Sequence, residues 1–192
     1  MRFCLLLFLS LPFLVFAQNS YIDSLSRFQQ QYVEAHEVVT GANKTNMKFF
    51  PVQEQYRITA AFERTENSPW LLMNSTGTER KQYRVYGIIR FTLHDTAVEL
   101  QIYQSRSLLT SEKYSEHLFI PFTDKTSGYE TYGGGRYLDL NIGDISHNTY
   151  VIDFNKAYNP YCAYAAGYNC PIPPKENDLS VAVKAGELNY LK

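Results

Sequence analysis

The sequence is short of most features that would name a chemistry. Lys and Arg number 18 against 19 Asp and Glu, a net charge of −1, so the basic excess of a nucleic-acid-binding surface is missing. The histidines, His36, His94, His117 and His147, are scattered without H-x-x-x-H spacing, and no metal site is expected. No G-x-S-x-G elbow occurs, which removes sequence support for a Ser-His-Asp hydrolase. The run Gly133-Gly134-Gly135 is followed by neither Lys-Ser/Thr nor a helical pattern; it is not a phosphate-binding loop, and no cofactor is expected. Gly/Ser-rich linkers and internal repeats are absent too, which leaves residues 18–192 as one expected domain. No apolar run reaches the roughly 20 residues that span a bilayer.

What is present is a folded, aromatic-rich chain. Hydrophobic residues make up 45% of the 192 and the net charge is low, which excludes disorder. Aromatic residues reach 15%, with 16 Tyr and 12 Phe, a bias toward strands. The longest apolar run, Phe3 to Phe16, follows Arg2 and ends in Val15-Phe16-Ala17. A charged start, a short apolar run and a small residue at the end are the pattern of a secretory signal. The expectation is cleavage after Ala17 and export to the periplasm or beyond, with no membrane span in the mature chain. Cys4 leaves with that segment, so Cys162 and Cys170 remain as an even pair, which in an exported protein favours a disulfide. Closing so short a loop is worth about 2.5 kcal/mol in the chain-entropy model.

Periodicity sets the elements. Ile22, Leu25, Phe28, Tyr32, Ala35 and Val39 recur every three or four residues and predict one helix over 20–40, capped by Ser20 and Asp23 and stopped at Gly41. Thereafter the period is two, predicting strands at 56–63, 84–93 and 98–103, with His94-Asp95-Thr96 as a hairpin connection. Further strands are expected at 117–122, 136–142, 149–155 and 180–185. Strands in series with one helix in front imply a mainly β, antiparallel, barrel-like or sandwich fold, the helix plugging an end or covering an edge.

Three stretches carry polar chemistry. The first, Phe122 to Tyr137, holds Asp124, Glu130, Tyr132, Gly133 and Arg136. In the second, Asp153 to Cys162, alternation places Asp153 on the same strand face as Asp139 of the preceding strand. Were those strands paired, the carboxylates would stand about 5 Å apart, an acid/base pair of glycosidase type with Arg136 or Lys156 between them. The third, Cys170-Pro171-Ile172-Pro173-Pro174-Lys175-Glu176-Asn177, is a stiff strap that presents Glu176 and Asn177.

The runs P-F-T-D-K-T-S-G-Y-E-T-Y-G-G-G-R-Y-L-D-L (121–140), D-F-N-K-A-Y-N-P-Y-C-A-Y (153–164) and N-C-P-I-P-P-K-E-N (169–177) resemble the family catalogued as domain of unknown function 1684. The resemblance extends upstream to F-F-P-V-Q-E-Q-Y-R-I-T-A-A-F-E-R-T (49–65). It implies no activity, because the family has none assigned. It does imply that Glu130, Thr131, Tyr132, Gly133, Arg136, Asp153, Asn155, Asn159, Cys162, Cys170, Glu176 and Asn177 belong to shared motifs.

Three functions remain open at this stage. One is an exported binding domain for a small polar ligand or glycan, with Tyr132, Gly133, Arg136, Asn155, Asn159 and Asn177 as ligand contacts and tyrosine rings as walls. Another is a hydrolase or lyase using Asp153, Asp139, Glu130 or Glu176 as acid and base. The last is a structural or interaction module.

Overall fold

Alternating apolar residues become strands, one face of each turned inward. The computed structural model describes the backbone of residues 11–191 and the side chains of 20–191; of the expected export segment, residues 1–10 lie outside the described residues. The strands are β1 (Arg57–Arg64), β2 (Leu71–Leu72), β3 (Gln82–Leu93), β4 (Thr96–Ser105), β5 (His117–Phe122), β6 (Arg136–Asn141) and β7 (Thr149–Asp153). They form one antiparallel sheet in the order β6-β5-β4-β3-β1-β7, with the short β2 added to β3. The sheet curls into a half-barrel.

Turn chemistry fixes the register. His94 and Asp95, at φ 48° and 58°, join β3 to β4 so that Leu93 faces Thr96. Two successive positive-φ residues are the type I′ geometry that matches strand twist. His147 and Asn148 repeat it before β7, at 50° and 56°. The concave side is filled by Ile89, Leu100, Ile102, Leu118, Ile120, Leu138, Leu140, Ile152 and Phe154. Each such fully buried side chain contributes about 1.5–3 kcal/mol by leaving water. A smaller cluster of Met73, Tyr83, Tyr103, Phe119 and Tyr137 packs separately.

The helix α1 (Leu11–Ala35) starts before and stops short of the sequence expectation. Ser20 therefore lies inside the helix and not at its cap. The stop comes at His36, whose Nδ1 accepts the Val39 N–H at 2.9 Å and captures a donor the helix would have used. Gly41, at φ 57°, then opens a 3-10 turn, Gly41–Asn46. The helix lies beside the β7 end of the sheet: Tyr21 donates to Asp153 Oδ2 at 3.0 Å and Gln29 to the Asn155 carbonyl at 3.3 Å. Among the described residues, no helix is long and apolar enough to cross a membrane.

The strand expected at 180–185 does not form. Its alternation is real, since Val183, Ala185 and Glu187 are buried while Lys184 is exposed. Its backbone partners, however, are largely side chains. Arg136 takes the carbonyls of Val183 (2.9 Å), Ala185 and Glu187 (3.4 Å), while Asp124 accepts the Val183 N–H at 3.2 Å. Tyr56 OH accepts the Lys184 N–H at 3.2 Å. Gly186, at φ 75°, lets this segment press on the 154–157 turn; a Cβ there would stand 2.6 Å from the Ala157 carbonyl oxygen.

Asp139 and Asp153 are likewise not ladder partners. Asp139 faces Phe119 on β5 and Asp153 faces Arg57 on β1, because β6 and β7 occupy opposite ends of the strand order.

Candidate functional site

The curl of the sheet leaves a cleft between α1, β6 and the chain that follows β7. Leu138 and Leu140 point into the core, so Tyr137 and Asp139 turn outward to the cleft. Helix α1 supplies Phe28 and Tyr32, four residues apart on one face, and His36 follows directly after its last residue. The segment 158–171 continues this lining with Tyr158, Tyr161 and Tyr168, Tyr158 lying against Tyr32 with ring centroids 5.9 Å apart and Tyr161 against His36 at 5.6 Å. A disulfide joins Cys162 to Cys170, Cα atoms 6.3 Å apart, and closes the loop that presents Tyr168. Thr76 Oγ1 accepts the Cys170 N–H at 3.1 Å and lies 2.9 Å from Cys162 Sγ, fastening the bridge to the 74–77 segment.

This groove has a volume of about 820 Å³, and its rim carries Glu37, Glu79, Lys81, Asp139, Lys156 and Asn169. Two depressions continue it: one of about 470 Å³ with Tyr21, Arg57 and Asp153, and one of about 300 Å³ with Arg57, Asp139, Asp144 and Asp153. Phe28 and Lys156 line the groove and the first of these, Asp139 and Lys156 the groove and the second. The cleft is therefore aromatic at one end and ionic at the other.

Phe28, Tyr161 and Tyr168 are 38%, 39% and 38% exposed, an open surface for a ligand to cover. Tyr161 and Tyr168 stack edge-on with centroids 5.2 Å apart. Asp139 accepts from Tyr158 OH at 2.9 Å and lies 3.1 Å from His117 Nε2. Burial and the neighbouring Asp139 push the Tyr158 hydroxyl well above its ordinary pKa, so it stays a donor. Asp153 is held by Tyr21 OH at 3.0 Å and by the Asn155 N–H and Nδ2 at 3.1 and 3.0 Å. Burial lowers the His36 pKa, leaving a neutral ring whose Nδ1 is already an acceptor.

The cleft gathers Asp139 and Asp153 and leaves the other sequence candidates elsewhere. Arg136 is buried against Asp124 at 2.8 Å, both side chains 0% exposed. Asn155 bonds the Gln53 backbone through both ends of its amide, at 3.0 and 2.9 Å. Asn159 donates its N–H to Glu187 and its amide to the Leu188 carbonyl, and Asn177 bridges Gln101 and Pro121. These three amides act as backbone staples. Tyr132 and Gly133 belong to the turn before β6, where a Cβ on Gly133 would stand 3.4 Å from the Gly128 Cα and one on Gly134 would run into the Tyr132 ring. Glu130 pairs with Lys184 at 2.9 Å, and Glu176 lines a separate cavity. Among the described residues, no group of three His, Cys, Asp or Glu is placed to hold a metal ion.

Sequence reasoning missed two things. The cleft's aromatic wall drew on rings from three separate segments, and only the Y-N-P-Y-C-A-Y run hinted at it. Glu187 drew no attention, yet it is fully buried, accepting from Tyr164 OH at 2.6 Å and the Asn159 N–H at 2.9 Å. Burial pushes its carboxyl from an ordinary 4.5 up to about 7, against the pull of those hydrogen bonds and of Arg136.

Among solved structures, the chain is similar to an uncharacterised protein of Haloarcula marismortui determined in solution by NMR. The two share 27% identity over 92% of this chain and 98% of that one, with a TM-score of 0.69. No curated protein matches. The family model described as "Protein of unknown function (DUF1684)" matches residues 43–188, which span the strands, the disulfide and the 158–171 wall of the cleft, and the chain belongs to that family.

Proposed function

We propose that this protein is an exported binding domain whose cleft takes a short saccharide. The observation that carries the reading is the open groove of about 820 Å³ walled by Phe28, Tyr32, Tyr158, Tyr161 and Tyr168. Aromatic rings offer flat apolar faces to the C–H side of a pyranose. The rim carboxylates, Lys81, Lys156 and Asn169 are spaced around them to exchange hydrogen bonds with hydroxyls. The apolar start of the chain and the Cys162–Cys170 bridge support export.

The test is calorimetric titration with a panel of neutral, amino and acidic oligosaccharides. At least one member is expected to bind saturably. Tyr161→Ala and Tyr168→Ala should each weaken it by up to about tenfold, the worth of one lost ring contact. Reducing the disulfide with a dithiol should weaken it as well, since Tyr161 and Tyr168 flank the bridged loop. Tyr114→Ala, an exposed ring outside the groove, should change nothing. Failure of the whole panel, or affinity indifferent to both tyrosines, would overturn the reading.

Asp139 and Asp153 lining one depression favours a second reading, acid/base cleavage of the bound saccharide. Shortened products in the titrated samples, abolished by Asp139→Asn or Asp153→Asn, would establish it.

A further inference from the structure

Glu187 is fully buried and has no ion pair of its own among the described residues. The cation that acts on it is Arg136, whose guanidinium is paired with Asp124 at 2.8 Å and touches only the Glu187 backbone carbonyl, at 3.4 Å. Its carboxyl oxygens meet neutral groups instead. Oε2 accepts the Asn159 N–H at 2.9 Å, and Oε1 lies 2.6 Å from the Tyr164 hydroxyl. The Tyr164 hydroxyl in turn lies 3.3 Å from the Tyr32 hydroxyl, a pair in which either oxygen can donate. Tyr32 belongs to α1 and walls the groove. A single file of hydroxyls therefore joins the buried acid to the cleft.

Such a file has two self-consistent directions. An ionised carboxylate only accepts, so Tyr164 must donate to Oε1; its oxygen then accepts from Tyr32, whose proton is committed to the interior. A protonated Glu187 reverses this. Oε2 is taken by the Asn159 N–H, so the proton sits on Oε1 and is donated to Tyr164. Tyr164 then donates to the Tyr32 oxygen, and Tyr32 keeps its own proton for a ligand against the wall it forms. Away from water, each bond in such a chain enforces the direction of the next.

The ionisable groups that face Glu187 are Tyr164 from the 158–171 segment, Tyr32 from α1 and Arg136 from β6. Burial and the neighbouring Glu187 hold both tyrosine hydroxyls far above their ordinary pKa, so neither loses its proton. His36, its ring centroid 4.5 Å from that of Tyr164, is kept neutral by burial. Glu187 is the member of the group that titrates, its carboxyl pushed up to about 7 by burial.

We propose that Glu187 is a proton-binding site that sets the hydrogen-bond direction of the cleft, making Tyr32 a donor to a ligand when protonated and an acceptor when ionised. The nature of that ligand rests on the saccharide reading; the proton site stands on the hydroxyl file alone and is tested without ligand.

The carbon-13 resonance of a tyrosine Cζ follows the hydrogen bonding of its hydroxyl. Full-length protein labelled at that carbon is titrated from about pH 5 to 9. The Tyr32 and Tyr164 signals, identified by their loss in Tyr32→Phe and Tyr164→Phe, are expected to shift with one shared midpoint. Tyr129, 84% exposed, should not share it and reports that each variant is folded. Glu187→Gln should abolish both shifts. Tyr32→Phe should leave the Tyr164 shift in place, whereas Tyr164→Phe should remove the Tyr32 shift, which a through-space effect of the charge would preserve. If Glu187→Gln does not fold, the two phenylalanine variants decide. A Tyr32 signal indifferent to pH in the unaltered protein, or a Tyr32 shift that survives in Glu187→Gln or in Tyr164→Phe, would overturn the proposal.

Discussion

Arg136→Leu is expected to lower the unfolding free energy by about 3–5 kcal/mol, a large share of the roughly 5–15 kcal/mol that holds a domain folded. The guanidinium serves two masters at once. It neutralises Asp124 at 2.8 Å with both side chains sealed from water, and it donates to the carbonyls of Val183, Ala185 and Glu187. A leucine fills the space but strands Asp124, leaves Glu187 without its nearby cation and orphans carbonyls in a segment that has no strand ladder. Arg136→Lys keeps the charge yet lacks the fork that reaches several acceptors, so it should fall between the two. Asp124→Asn placed on Arg136→Leu should recover part of the loss by removing one stranded charge. Urea unfolding followed by circular dichroism measures all four proteins. A loss below 1 kcal/mol for Arg136→Leu would mean that water or rearranged chain replaces the guanidinium, contrary to its complete burial.

Glu187 is expected to make stability fall as pH rises from 4.5 to 7. Its carboxyl titrates near 7 in the folded protein against 4.5 when exposed, so between those values the folded state holds a proton that the unfolded state has released. Stability is then fully present below about pH 4.5, drains away between 4.5 and 7, and levels off once both states are ionised. A gap of that size corresponds to about 3 kcal/mol. His36 works in the opposite direction: burial depresses its pKa below 6.5, so its contribution is present above that pH and is lost on acidification. Glu187→Gln should therefore remove the decline between pH 4.5 and 7 and leave the acid-side loss from His36 exposed. The check is the difference in urea midpoint between the two proteins, measured from pH 4.5 to 8.5. If that difference does not change between pH 4.5 and 7, another group is responsible.

The strands were legible wherever alternation and turn chemistry agreed. The β3–β4 hairpin follows from apolar residues spaced by two on either side of His94-Asp95, a purely local signal. The same local signal misassigned 180–185, because alternation reports which residues are buried and not what their backbone bonds to. There the partner is Arg136, 47 to 51 residues away in the chain. The helix end was misplaced for a related reason. Val39 keeps the apolar period and is buried, but the chain reaches it through a turn capped by His36 and not by continuing the helix.

The motif residues divide along the same line. Asp124, Arg136, Asn155, Asn159 and Asn177 could be picked out as chemically unusual, but their chemistry is spent on the protein's own backbone. A polar side chain at the surface and one stapling a buried loop look alike in sequence; burial distinguishes them, and burial is a sum over distant neighbours. By itself the sequence determined the mainly β antiparallel class, the inward faces of the strands, the cysteine pair and the family. Those follow from period, composition and motif, which are properties of adjacent residues. The tertiary structure decided that Asp139 and Asp153 share a cleft without sharing a ladder, that rings from α1, β6 and the 158–171 segment form one wall, and that Glu187 is buried with a raised pKa. Each of these depends on how far the sheet curls before α1 meets its edge, a packing outcome that no local pattern encodes.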